Sequence, residues 1–117
     1  MRRVFILIIG AFILIIGAFI LTAGIASAQD KVARGAQVYT EQKCSLCHAV
    51  AGKGNAKGAL DEVGSKLSAA DLKAWIVDAK GMTAKTGATR KPDMKNYTLP
   101  DADVDALVAY MGTLKKK

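Results

Sequence analysis

Cysteine and histidine occur in this chain only within five consecutive residues, Cys44-Ser45-Leu46-Cys47-His48. A C-x-x-C-H run reads as an attachment site for a c-type haem, because each thiol can close a thioether to a haem vinyl group while the histidine behind them supplies the iron's proximal nitrogen. Such a tether keeps a small protein from losing its cofactor. Two other chemistries use similar residues. A redox dithiol sits at a strand-to-helix junction in a βαβ pattern, which this sequence lacks. A structural zinc site takes four ligands, and two cysteines and one histidine in the whole chain leave the set one short. The motif therefore predicts one covalently bound haem c with its iron, anchored by Cys44 and Cys47 and ligated by His48.

The N-terminus reads as a targeting segment outside the folded domain. Arg2 and Arg3 form a positive start, Val4 to Leu21 is an uninterrupted apolar run, and Ala26-Ser27-Ala28 is a small-residue cleavage motif. The run is close to the ~18-residue minimum for crossing a bilayer, so an uncleaved anchor competes with a cleaved signal peptide. The heptapeptide Phe5 to Ala11 is repeated at once as Phe12 to Ala18, and one copy fewer leaves an ordinary signal core. Residues 1–28 are expected to be a signal peptide or, alternatively, an anchor, with residues 29–117 as a single domain. A domain of that size buries a modest core by itself. A haem supplies the missing apolar bulk, so the haem-free chain is expected to fold poorly.

The remaining patterns are helix and loop, with no alternating strand pattern, which predicts an all-α fold. Asp30 to about Lys43 reads as a first helix, with Val32, Ala36 and Tyr39 at helical spacing and Gly35 open to close approach by another helix. Gly52 to Gly58 reads as loop, and it lacks the ending and the preceding strand of a phosphate-binding loop. A turn is expected near Gly64. Ser68 then offers an N-cap to a helix from Ala69 to about Ala79, with Leu72, Trp75 and Ile76 on one face. Trp75, the one tryptophan, is read as packing against the haem, where a large flat side chain finds the largest apolar surface, with ordinary core packing as the overlapping alternative. Gly81 to Arg90 reads as loop. Pro100 opens a last helix with Asp101 and Asp103 near its positive end, and Val104, Leu107, Val108 and Met111 form its apolar stripe.

With a single histidine in the chain, the iron's sixth ligand has to be something else. Met1 belongs to the leader and Met111 to the last helix's apolar stripe, which leaves Met82 and Met94, both read in non-helical segments. Met94 has the better setting, because Pro92 stiffens the backbone and biases Lys91 toward an extended conformation. Met82, a lysine or an open site are the alternatives. A His/Met pair fills both axial positions and raises the potential, which suits electron transfer over substrate chemistry.

From Lys31 to Leu114 the chain resembles the class I cytochromes c, small single-haem proteins whose few helices wrap one covalently attached haem. Gly35 and Tyr39, Cys44 to His48, Leu60, the Leu72-to-Ile76 helix, Met94 and the Leu107-to-Tyr110 helix carry the resemblance. It implies that Gly35 and Tyr39 pack against Tyr110 where the terminal helices cross, and that Met94 is the distal ligand. Met94 stands sixteen residues before Tyr110, about the family's interval. Two departures stand out. Four residues separate Tyr39 from Cys44, one more than in many members. Gly58 also holds the place of a proline whose carbonyl accepts the proximal histidine's ring proton, so a more mobile loop and a less firmly oriented His48 are expected.

The chain carries a net charge of +7, two units of which belong to Arg2 and Arg3. An excess of this kind steers encounters more than it sets affinity. Lys43, Lys53, Lys57, Lys91 and Lys95 flank the expected haem-binding segments. They either ring the haem edge and meet acidic docking surfaces on redox partners, or are simply solvated. No nucleic-acid recognition motif is present. The sequence thus predicts an exported, periplasmic, monomeric electron carrier that is not an enzyme and cycles between ferric and ferrous iron. The alternatives are a haem-based sensor with a displaceable ligand, or a respiratory-enzyme subunit anchored to the periplasmic face of the inner membrane. The resemblance implies donors such as a cytochrome bc complex and acceptors such as a terminal oxidase or periplasmic reductase.

Overall fold

A computed structural model of the chain describes residues 26–117. The chain divides into two units, Met1–Asp30 and Lys31–Lys117. Of the first, residues 26–30 are described and are helical; the leader read at residues 1–28 lies outside the described residues as far as residue 25. Everything below concerns the second unit. Among the described residues no helix is long and apolar enough to cross a membrane.

Helix α1 occupies residues 31–41. Its buried face is broader than the expected stripe: Gly35 and Tyr39 are buried, Val32 and Ala36 are half-buried, and Val38 is the most enclosed at 1% exposure. Burial of a side chain of that size contributes about 1.5–3 kcal/mol. The face packs on the last helix, α5 (Asp101–Thr113), through Val104, Leu107 and Met111, with Leu72 and Ile76 completing the cluster. Gly35 is where the two backbones touch, since a Cβ there would lie 2.6 Å from Tyr110 Cβ and collide with the Ala106 carbonyl. Beside it the Tyr39 and Tyr110 rings meet edge to face, 5.9 Å apart at 61°, the preferred arrangement for aromatic quadrupoles. The helix crossing implied by the resemblance is therefore present. Arg34 clamps its edge, donating from Nε and Nη2 to the two carboxylate oxygens of Asp103, each at 2.9 Å.

Pro100 is the residue immediately before α5 and not part of its first turn, which Asp101 and Asp103 occupy. Helix α3 (Ala69–Val77) starts as expected, with Ser68 Oγ accepting the Asp71 amide at 3.1 Å. Two readings are corrected. Gly81 to Arg90 is not all loop: a further helix, α4 (Ala79–Thr86), runs through most of it. The Asp78 carboxylate caps it by accepting the Gly81 amide at 3.1 Å, and Asn96 Oδ1 accepts the Lys80 amide at 3.0 Å. Two of the orphan amides of the first turn are thereby satisfied, which offsets the helix-weakening glycine. Only Gly87 acts as a breaker, ending the helix in the left-handed region at φ +68°. Met82 therefore lies in a helix, buried at 6% exposure.

The second correction is at Gly64, which lies inside a one-turn helix, α2 (Val63–Lys66), and not in an open turn. Its amide donates to the Leu114 carbonyl at 2.8 Å, so the end of the chain supports this turn. The glycine-rich loop also contains a minimal antiparallel hairpin, β1 (Ala49–Val50) with β2 (Lys53–Gly54), in register Ala49 to Gly54. Ala51 and Gly52 between them both take positive φ, as the tight hairpin turn demands. With two residues per strand, it leaves the fold all-α in substance.

Candidate haem site

The haem motif begins where α1 ends. Lys43 takes a left-handed conformation, the chain reverses, and Cys44–Leu46 forms a single 3-10 turn. The Cys47 and His48 amides both donate to the Cys44 carbonyl, at 3.1 and 2.9 Å. The Asn55 amide ties the turn to the hairpin by reaching the Ser45 and His48 carbonyls at 3.1 and 3.0 Å. Five consecutive residues thus present both sulfurs and the imidazole to one place.

That place is a cavity of about 580 Å³ lined by Cys44, Cys47, His48 and Met94 together with Leu60, Leu67, Leu72, Trp75 and Met111. The volume is within the roughly 300–1,000 Å³ of ligand pockets. Its walls are mainly apolar, suiting a large flat macrocycle. Trp75 reaches it from α3. His48 Nδ1 donates to the Gly58 carbonyl at 2.9 Å, which assigns the proton to Nδ1 and leaves Nε2 with its lone pair for a metal. The carbonyl acceptor expected from a proline is therefore supplied by Gly58.

Burial shapes the titrations here. Desolvation pushes the Cys44 thiol up. It pulls the His48 imidazole below its ordinary value, opposed by the Gly58 hydrogen bond and reinforced by the nearby Arg90 cation. Neutral imidazole is the form that ligates metal. Tyr97, whose ring borders the same cavity, is pushed up by desolvation.

Residues 88–100 form a strap without regular structure that also borders the cavity. The Tyr97 amide pins it to α3 by donating to the Ile76 carbonyl at 2.9 Å. Two thioethers face the cavity. Met111 is held within the α1–α5 cluster, whereas Met94 sits half-buried on the strap. Met82 does not line it. Among the five lysines flanking these segments, Lys43 and Lys95 border the cavity, and Lys95 Nζ stands 4.8 Å from the centre of the Tyr97 ring. Sequence reasoning passed over Tyr97 and Arg90. Tyr97, an aromatic three residues past Met94, was findable, while Arg90 carried no local signal. Among the described residues no group of three His, Cys, Asp or Glu could hold a bare metal ion.

Residues 32–115 match the Cytochrome c family. The chain belongs to the cytochrome c family, with covalently bound haem c and its iron as cofactor and the haem c electron carriers as its class. It is also 34% identical over 91 residues to a protein of Alkalihalophilus pseudofirmus named cytochrome c oxidase subunit 2, a match covering 70% of this chain and 25% of that protein. The chain thus spans about a quarter of that relative's length. No solved structure matches it.

Proposed function

We propose that the chain is an exported single-haem electron carrier and not an enzyme. Cys44 and Cys47 hold the haem as thioethers, His48 is the proximal ligand, Met94 the distal ligand, and Trp75 packs on the macrocycle. The observation that carries this reading is that one apolar cavity is lined at once by both thiols, by a histidine whose Nδ1 is already engaged, and by a strap-borne thioether. The bound group supplies one-electron cycling between ferric and ferrous iron. The residues would supply the rest: His48 and Met94 would hold the iron and leave no position for a substrate, and the mainly apolar walls would favour the less charged state. The chain acts as a monomer in the periplasm, meeting redox partners through acidic docking surfaces that complement Lys43, Lys53, Lys57, Lys91 and Lys95.

The test is the absorption spectrum of the ferric and ferrous holoprotein. A weak ferric band from an iron–thioether bond, lost in Met94→Ala, is the expected result. A wild-type protein without that band, which in the ferrous state binds carbon monoxide readily, has an open site and overturns the carrier reading in favour of a sensor. The likeness to a cytochrome c oxidase subunit supports a second reading, delivery of electrons within one respiratory enzyme by a chain that keeps residues 1–28 as an anchor. Mass spectrometry of the exported protein separates them: loss of residues 1–28 favours the free carrier, and their retention in the membrane fraction favours the subunit.

A further inference from the structure

Gly58 poses a question that its backbone does not answer. It is not among the glycines with positive φ, so its conformation is open to any residue. What forbids a side chain is space: a Cβ there would lie 2.7 Å from Arg90 Cζ and would collide with Arg90 Nη1 and the Cys47 carbonyl. The Arg90 guanidinium occupies the room a larger residue would take, and its Nη2 donates to the Cys47 carbonyl. One exposed side chain from the strap, four residues before Met94, thus contacts the haem motif beside its second thiol and presses on the residue whose carbonyl holds His48 Nδ1.

A glycine is conformationally loose, so the peptide following it needs external restraint to keep its carbonyl aimed. Asn55 supplies part of this by accepting the Gly58 amide at 3.0 Å. The planar guanidinium supplies the remainder, and its rigid donor fork suits one face on glycine and one N–H on a carbonyl in a way that a lysine ammonium does not. We propose that Arg90 is a positioning residue, a latch that fixes the Gly58 carbonyl on His48 and ties the Met94 strap to the haem motif. The latch rests on the reading of His48 and Met94 as the axial ligands. It acts through the partner of His48, the contact that sets ring orientation and donor strength at a metal-bound imidazole.

The experiment uses the full holoprotein with Arg90→Lys and Arg90→Gln, both at an exposed position. Proton NMR of the ferrous state measures exchange of the His48 Nδ1 proton, and the ferric iron–thioether band is followed on heating. A latch predicts exchange about tenfold faster or more in both variants, as expected for loss of one charge-assisted hydrogen bond, and loss of the band at lower temperature. Wild-type exchange and band stability in both variants overturn the latch. An effect in Arg90→Gln that is absent in Arg90→Lys also overturns it, since charge alone then suffices. A wild-type holoprotein that lacks the band fails earlier and brings down the ligand reading itself, so the two failures are told apart.

Discussion

Where α1 crosses α5, protein meets protein: Gly35 lies under the Ala106 carbonyl, Tyr39 stands edge-on to Tyr110, and Val38 and Val104 are almost wholly enclosed. Along residues 88–100 the chain is mostly exposed, and two of its three half-buried side chains, Met94 and Tyr97, turn to the cavity, while the third, Leu99, packs on the core. The crossing carries its complement in its own sequence. The strap does not: on the proposed reading Met94 and Tyr97 take the haem as their apolar partner, and its own attachments are the Tyr97 amide, the Asn96 carboxamide and the Arg90 guanidinium. One region specifies the fold, and the other is specified by what the fold holds.

The largest effect follows from removing that partner. In Cys44→Ala, Cys47→Ala the cavity is left without the group that fills it, and a domain this small has little core in reserve. The expected outcome is a reduced helical circular dichroism signal. Amide protection should vanish along 88–100 and persist longest in α1 and α5. A haem-free variant with full ellipticity and uniform protection would break the comparison, because the strap would then be self-sufficient.

The crossing is probed from the other side by Gly35→Val. The first added carbon already overlaps the α5 backbone, and overpacking at a closed contact costs about 1–3 kcal/mol or more. Urea unfolding of the holoprotein should move to lower midpoint while the haem absorption at zero urea keeps its form. An unchanged midpoint would mean that the helices part without cost and that the contact is incidental.

These two regions also explain what could be read from the residues alone. Gly35, Tyr39 and the Val104-to-Met111 stripe were legible because helical periodicity records burial directly. The haem motif was legible because its chemistry is local, with five residues and no folding needed. Helix α4 was not, because its start depends on Asp78 and on Asn96, sixteen positions beyond the amide it caps, and two glycines dominate the local pattern. Val38 fell beside the expected stripe because a close helix crossing widens the buried face. At Gly58 the missing proline predicted a loosened histidine. The Nδ1 bond is made to the glycine carbonyl itself, and a contact beside it comes from Arg90, thirty-two positions away. Periodicity reports a residue's own environment, and long-range caps and contacts lie outside it.

The smallest expected effect is at the rim of the crossing. Arg34 pairs with Asp103 and also with Glu41, at 3.0 Å. The hydrogen bond from Arg34 holds the Asp103 carboxyl below its ordinary range. A depressed carboxylate stabilises the fold at pH above its unfolded value, about 3.9 for aspartate, and that contribution fades as pH falls through the lower folded value. Arg34→Gln should therefore lower the urea midpoint slightly near neutral pH, and the gap from the wild type should close as the pH is taken below the usual carboxylate range. Added salt should narrow it too, since the pair is open to solvent and screened. A gap that persists in acid would mean that Arg34 contributes through the packing of its methylene stem and not through its charge. The rim of the crossing would then rest on the same close contact as its centre.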